Sequence, residues 1–405
     1  MVKDWQSTTI GKLLDFKNGL NKEKSFFGFG TPIVNYTDVY HHNGLHSDNI
    51  KGKVSLSKDE IRRFEVRKGD VFFTRTSETP DEVGISSVLL DEIQDCVFSG
   101  FILRGRPKTD KLLPEYCQYC FSSKKVRDEI IKHCTYTTRA LTNGKVLSAI
   151  DISIPEIDEQ RAIADAFACV EAHIANLTKL IEKKKAIRDG ALEDLVSGHT
   201  RLEGFDGEWK QKTLFELTST IITGGTPSTS NQSYWNGTIP WLSSTEIHQR
   251  KITKPTAYIT TEGLMNSSAK IAPEKSVLIA LAGQGKTRGT AAYLMADMAL
   301  NQSLAALVSA PNTDSLFLLY AMERSYDSLR EISSGDGGRG GLNKKLLKQY
   351  AVYVPSSIEE QKEISTILAC MDDEIAALEA ERDKMRQIKA GMMDDLLTGR
   401  VRLIG

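Results

Sequence analysis

The sequence predicts an α+β chain: two tandem mixed α/β domains separated by two long helices that form an antiparallel coiled coil with pseudo-two-fold symmetry. Three observations carry that expectation. The chain repeats itself at an offset of 201 residues. The tail of each copy carries an apolar seam with alternating steps of four and three. The diverged part of each copy carries short β-rich runs bounded by Gly, Pro, Asn and Ser.

The repeat is sought first, because its period decides the architecture. Ile154-Pro155-Glu156-Ile157-Asp158-Glu159-Gln160 recurs as Val354-Pro355-Ser356-Ser357-Ile358-Glu359-Glu360-Gln361, with one residue inserted. Beyond those glutamines the copies run without gaps. Ala168-Cys169 matches Ala369-Cys370, Gly190 matches Gly391, Gly198 matches Gly399, and Arg201-Leu202 matches Arg402-Leu403. Upstream the match weakens, but Leu342-Asn343-Lys344 still lies over Thr142-Asn143-Gly144, and each copy opens on an acid and a tryptophan, Asp4-Trp5 and Glu208-Trp209. The expected organisation is a first domain over 1–155, a long central helix over 156–200, a second domain over 201–355 and a long C-terminal helix over 356–405.

The first helix seam is Ile163, Phe167, Val170, Ile174 and Leu177, continuing to Ile181; the second is Ile364, Leu368, Met371, Ile375 and Leu378. Arg382 and Lys389 interrupt the second register. Each helix begins just after a proline and ends near a glycine, Gly198 or Gly399. Roughly 40 residues at 1.5 Å each make a rod of about 60 Å. Such a stripe needs cover, and the other copy is the obvious partner; packing of each helix on its own domain is the alternative. Strand candidates include Asp70-Val71-Phe72-Phe73-Thr74 and Ser276-Val277-Leu278-Ile279-Ala280, and a single amphipathic helix is expected over 114–130 and again over 316–332.

Composition narrows the function classes. The chain has 405 residues, 40% hydrophobic and 26% charged, which excludes a disordered or collagen-like protein. A net charge of −1 excludes a uniformly basic nucleic-acid coat, but not a local basic face. Residues 156–200 hold six basic and nine acidic side chains, and 356–400 hold six and eleven, so the remainder carries a surplus of seven basic groups. No apolar run is long enough to span a bilayer, and Met1-Val2-Lys3-Asp4-Trp5 shows no leader. Six cysteines in so long a chain read as reduced thiols, hence a cytoplasmic protein.

Four patterns invite an enzymatic reading. Ala280-Leu281-Ala282-Gly283-Gln284-Gly285-Lys286-Thr287 resembles a phosphate-binding loop, but its leading glycine is replaced by Ala280, and Arg288-Gly289-Thr290 stand where a helix should begin. Phe26-Phe27-Gly28-Phe29-Gly30 fits a methyltransferase F-x-G-x-G, but no strand precedes it and the chain contains no Asn-Pro-Pro-Tyr; a loop is expected. Cys117 and Cys120 form a single CxxC on a helix, so buried thiols are expected. His41, His42 and His46 lie in a polar, turn-like stretch and read as an exposed loop.

What remains is a nucleic-acid signature. The loops after the matched strands, Arg75, Thr76, Ser77 and Thr79 in one copy and Gln284, Lys286 and Arg288 in the other, combine cations with small hydroxyl and amide groups, the types that clamp phosphates and read base edges. Arg139 and Arg339 occupy matching positions although their neighbours differ. Further candidates are Lys22, Lys24, Asn35, Tyr36, Arg104 and Arg106 in the first copy, and Thr226, Ser228, Ser243 and Ser244 in the second.

With these residues in place, the whole chain resembles the specificity (S) subunit of type I restriction–modification systems. The resemblance rests on the hydrophobic-Pro-x₃₋₄-Glu-Gln boundary at Pro155 to Gln160 and Pro355 to Gln361, on the heptads that follow, and on the closing Leu-x-x-Gly-x-x-Arg-Leu at Leu195 to Leu202 and Leu396 to Leu403. Gly285 to Ala292 is also similar to a segment of such recognition domains. The resemblance implies a non-catalytic subunit with two target-recognition domains, each reading one half of a split, asymmetric site on double-stranded DNA. It implies helices that set the spacing and dock two methyltransferase (M) subunits. S-adenosylmethionine is then expected on the methyltransferase and ATP with magnesium on a restriction (R) subunit, with no cofactor and no metal in this chain, and no membrane partner. Two readers on one face of a duplex would sit about one helical turn, roughly 34 Å, apart. A protein-bridging scaffold without DNA readout and a nucleotide hydrolase using Lys286 remain as alternatives.

Overall fold

A computed structural model describes residues 5–255, 257–283, 286–333 and 341–404. The chain forms two compact units. The first comprises Met1–Thr178 with Ala380–Gly405; the second comprises Lys179–Glu379.

In the first unit a five-stranded sheet runs in the order Leu14–Asn18, Ile102–Pro107, Val71–Thr74, Ser86–Leu89, Gly44–Leu45. Its pairs are antiparallel except the last, where Gly44 lies beside Val88 in parallel register. Val71–Thr74 is buried throughout, so alternate side chains serve opposite faces. Val71 and Phe73 pack with Tyr116, Tyr119, Phe121, Ile163 and Phe167. Phe72 packs on the other side with Val34, Leu45 and Phe98.

The second unit repeats the order with Thr218–Thr223, Leu304–Ser309, Val277–Ala280, Ala291–Leu294 and Lys251–Ile252. Val277 and Ile279 pack with Phe317, Tyr320, Ile364 and Leu368. In both units the first strand pairs with the last strand before the long helix: Gln6–Thr9 with Asp151–Ile154, and Trp209–Thr213 with Ala351–Pro355. Each unit thus closes on itself before its helix departs.

The long helices are Ile157–Ser197, 41 residues, and Ile358–Leu396, 39 residues. Gly198 and Gly399 follow at φ +77° and +69°, the left-handed cap that glycine adopts without a Cβ penalty. Inside the first unit, pairs run Glu159 to Arg402, Glu171 to Lys389 and His173 to Glu381. Inside the second they run Glu360 to Arg201, Asp372 to Arg188 and Glu374 to Lys184. One number rises as the other falls, so the helices are antiparallel in both units. The seam has two kinds of cover: Ile163 and Phe167 lie against their own unit's helices and also share a core with Leu396 and Leu397, as Ile364 and Leu368 do with Leu195 and Val196. Val170, Ile174, Met371 and Leu378 are half-buried, while Leu177 and Ile375 are buried. Lys389, which breaks the apolar register, meets Glu171 at 2.7 Å, just as Arg188 meets Asp372 at 3.0 Å.

The repeated Pro…Glu-Gln boundary is architectural. Glu159 accepts from Trp5 Nε1 at 3.2 Å and from Arg402 Nε at 2.5 Å. Glu360 accepts from Trp209 Nε1 at 3.2 Å and from both Arg201 Nε and a terminal guanidinium nitrogen, at 2.8 and 3.0 Å. The neighbouring glutamines hold the starts of the shorter helices Pro114–Cys120 and Ser315–Arg324: Leu113 N–H donates to Gln160 at 3.0 Å, and Asp314 N–H to Gln361 at 2.8 Å. The opening tryptophan, the boundary glutamate and the closing arginine, distant in sequence, therefore meet.

Two expectations about local structure are corrected. The single helices expected over 114–130 and 316–332 are each two, Pro114–Cys120 with Lys124–His133 and Ser315–Arg324 with Tyr326–Ser333. The break falls at Ser123 and Ser325, where Ser325 Oγ bonds back to the Ala321 carbonyl and competes with the backbone ladder. Phe26–Gly30 is not a loop: Phe27–Val34 is a strand, with Gly28 and Gly30 at φ +103° and +97°.

Candidate nucleic-acid interface

In the first unit four residues singled out from sequence, Tyr36, Thr76, Ser77 and Arg139, line one cleft of about 450 Å³ together with Tyr40, Glu78, Glu82 and Phe101. Asn35 starts the helix Tyr36–His41 with a reciprocal cap, its N–H donating to Asp38 Oδ2 at 2.8 Å. That start places Tyr36 and Tyr40 one turn apart with rings stacked at 5.8 Å. Thr76–Ser77 pairs with Ala140–Leu141, which pairs with Thr135–Tyr136, and the exposed Arg139 sits in the connecting turn. Arg75 N–H donates to the Phe101 carbonyl at 3.1 Å, which holds the exposed Phe101 ring beside the loop. Thr79 is exposed on the same loop, outside the cleft's lining.

Arg75 itself lines a neighbouring cleft of about 460 Å³ with Lys17, Lys108, Lys145, Asn18 and Asn143. Four cations face one carboxylate there, Asp15, which favours an anionic backbone. Lys17 has its ammonium pKa lowered, first by burial and then by Arg104, Arg63 and Arg106 nearby. Sequence reading missed Lys17, Lys108 and Lys145 as well as Tyr40, Glu82 and Phe101. The register of Leu14–Asn18 on Ile102–Pro107 assembles the basic cleft, and no local pattern announces it.

Three cation candidates have internal partners. Arg106 forms a two-pronged pair with Asp70, at 2.8 and 2.7 Å, and Arg104 is buried, donating to the Glu65 carbonyl at 2.8 Å. Both arginines, candidates for DNA contact by residue type, are thus engaged internally: their alternate positions on an interior strand turn both toward Asp70. Lys22 pairs with Glu60 at 2.7 Å and lies over the Phe26 ring. Lys24 is exposed.

The second unit builds the same place from other residues. Ser243 N–H donates to Glu246 Oε2 at 3.1 Å, the counterpart of the Asn35–Asp38 cap, so the half-buried Ser244 stands where the first unit has Tyr36. Gly84 and Gly289 both have positive φ, and their N–H groups donate to Thr74 and Ala280 at the matched strand ends. Two residues before each glycine stand Glu82 and Thr287. Tyr40 OH donates to Glu82 Oε1 at 2.7 Å; at the matched position His248 Nε2 lies 3.2 Å from Thr287 Oγ1. One frame therefore presents a phenol and a carboxylate in one unit, and an imidazole and a hydroxyl in the other.

Lys286 is exposed and lines a cleft of about 950 Å³ with His248, Lys251 and Tyr326. Strand Ala291–Leu294, not a helix, follows it, unlike a nucleotide-hydrolase loop. Arg288 contacts Ser333 Oγ at 3.4 Å. Thr226 donates to Gln302 at 2.7 Å, and Ser228 sits 2.8 Å from Ser230; both are exposed. Gln284 and Arg339 lie outside the described residues. Cys117 and Cys120 are buried, and His46 pairs with Asp91 at 3.0 Å. Among the described residues no helix is long and apolar enough to cross a membrane.

Two units of one fold that hold different polar groups at matched positions are the arrangement expected of one class, a tandem reader of nucleic acid. The model of the type I restriction modification DNA specificity domain matches residues 2–186 and again 206–387, and the chain belongs to that family. It is 19% identical to the type I restriction enzyme HindI specificity subunit of Haemophilus influenzae, over 99% of this chain and all of that one. It is 29% identical to the EcoR124I/EcoR124II specificity subunit of Escherichia coli, over 41% of this chain and 42% of that one. Among solved structures, the S subunit of a type I restriction–modification system from M. genitalium shares its fold, with a TM-score of 0.59 at 17% identity, covering 97% of this chain and 96% of that one. The protein is accordingly a specificity subunit, a DNA-recognition component with two specificity domains.

Proposed function

We propose that each unit reads one half of a bipartite, asymmetric DNA target, and that the long helices set the spacer between the halves and dock two methyltransferase subunits. The chain is non-catalytic in this reading. S-adenosylmethionine belongs to the methyltransferase, ATP and magnesium to a restriction subunit where one joins, and the complex works on cytoplasmic DNA. The observation that carries the reading is the matched frame: Tyr36, Tyr40 and Glu82 in one unit stand where Ser244, His248 and Thr287 stand in the other. Direct readout depends on side-chain type at the base edge, so a shared frame with different groups is what an asymmetric target requires. The acidic surplus along the helices suits contact with protein, and the basic surplus of the remainder suits DNA.

The decisive experiment co-expresses the chain with its methyltransferase and maps methylated adenines by single-molecule sequencing. The expected result is one motif with two specified halves around an unspecified spacer. A contiguous motif, or none, refutes the reading. A scaffold that leaves DNA alone would show no salt-sensitive shift with duplex in the same complex.

A further inference from the structure

We propose that Glu82 is a specificity-determining residue of the first unit: an acceptor-only carboxylate that reads an exocyclic amino group on a base edge, cytosine N4 or adenine N6. The inference rests on the DNA-recognition reading above and deepens it.

Placement is the first argument. Glu82 ends the short turn Pro80–Glu82 and lines the cleft that Arg139, Phe101, Tyr36 and Thr76 also line. Restraint is the second. Tyr40 OH donates to one carboxylate oxygen at 2.7 Å and Ser77 Oγ to the other at 2.8 Å. Thr79 contributes a weaker third bond, and a carboxylate offers about four acceptor positions, so one remains open to a base. All three partners are hydroxyl groups, which orient the anion without cancelling its charge. The hydroxyls of Tyr40, then Ser77 and Thr79, hold the Glu82 pKa below its ordinary value, so the group is ionised at neutral pH and has no proton to donate.

Charge is the third argument. A site meant only for phosphate gains nothing from carboxylates, yet this cleft has two, Glu78 and Glu82, around Arg139. Facing base edges, an ionised carboxylate is repelled by the acceptors guanine O6 and N7 and thymine O4, and accepts from the amino groups of cytosine and adenine. The second unit is the fourth. Thr287, at the matched place beside His248, carries a hydroxyl that both donates and accepts, so the same position there follows a different rule.

The test maps adenine methylation by the complex carrying Glu82→Gln, an isosteric change that adds an N–H₂ donor. The expected result is a change or relaxation at one position of one half-site, with the other half and the spacer unaltered. The base specified there by the unsubstituted complex, C or A, tells which amino group is read. Thr287→Val is expected to alter the other half alone. An unchanged motif with Glu82→Gln overturns the proposal. Where that variant no longer supports methylation, binding titrations decide. A reading carboxylate repels backbone phosphate, so Glu82→Gln should lose roughly five- to a hundred-fold for the cognate duplex and lose nothing for a non-cognate one. Equal loss on both duplexes overturns the proposal and marks Glu82 as structural. Absence of any bipartite motif from the unsubstituted complex overturns the underlying reading, and the proposal with it.

Discussion

At the scale of single residues, the cations divide by what already neutralises them. Arg139 is exposed at the mouth of the first cleft, so its guanidinium is open to a phosphate or a guanine edge. Arg139→Ala should weaken duplex binding by about 1 kcal/mol and lower the salt slope by about one if the contact is to phosphate; titrations at several fixed salt concentrations check both. Lys22 belongs to the other group. Hydrogen bonding from Lys22, followed by that from the Ser57 backbone, pulls the Glu60 carboxyl down to about 2. A depressed carboxyl contributes stability above its unfolded value and loses it as pH falls through the folded one. The pair should therefore persist through mild acid and fail only on approach to pH 2. In an NMR titration, Lys22→Met should return Glu60 toward the ordinary glutamate range. Sequence alone set Arg139 apart by its match to Arg339 but could not separate Lys22, Arg104 and Arg106 from open cations, because residue type does not record which carboxylate a strand brings alongside.

At the scale of elements, the repeated boundary and the seam explain why the tails stay similar while the domains diverge. Trp5, Glu159 and Arg402 in one unit and Trp209, Glu360 and Arg201 in the other tie the opening strand, the start of one helix and the segment after the other. Glu159 and Glu360 are buried, so losing the arginine strands an uncompensated charge. Arg402→Ala and Arg201→Ala should each destabilise by about 3 kcal/mol, read as a lower denaturation midpoint, without changing which bases are methylated by whatever protein remains folded. Phe167 is fully buried against Tyr119, with ring centroids 4.5 Å apart, and Phe167→Ala should cost about 3–5 kcal/mol. The heptads announced the helices because a four–three period is written in neighbouring residues. The breaks at Ser123 and Ser325 were hidden, since apolar spacing continues across them.

At the scale of the whole molecule, one chain carries two specificity domains and two long helices, and in each unit a segment of either helix completes the core. If helix length sets the spacer, one added turn at matched places in both helices should lengthen the unspecified spacer in the methylation motif and leave both half-sites intact. An unchanged spacer would refute that role. The sequence by itself determined the two-fold repetition, the helices, the apolar seam and the family, because each is a periodic or contiguous pattern that needs no knowledge of distant contacts. Tertiary structure alone decided which side chains share a cleft. Tyr40, Glu82 and Phe101 come from a helix and two turns far apart in the chain, and meet Arg139 only through strand pairing and loop placement. It also decided that Arg104 and Arg106 serve Asp70. Pairing register is a property of two strands at once, so neither strand's residues could reveal it separately.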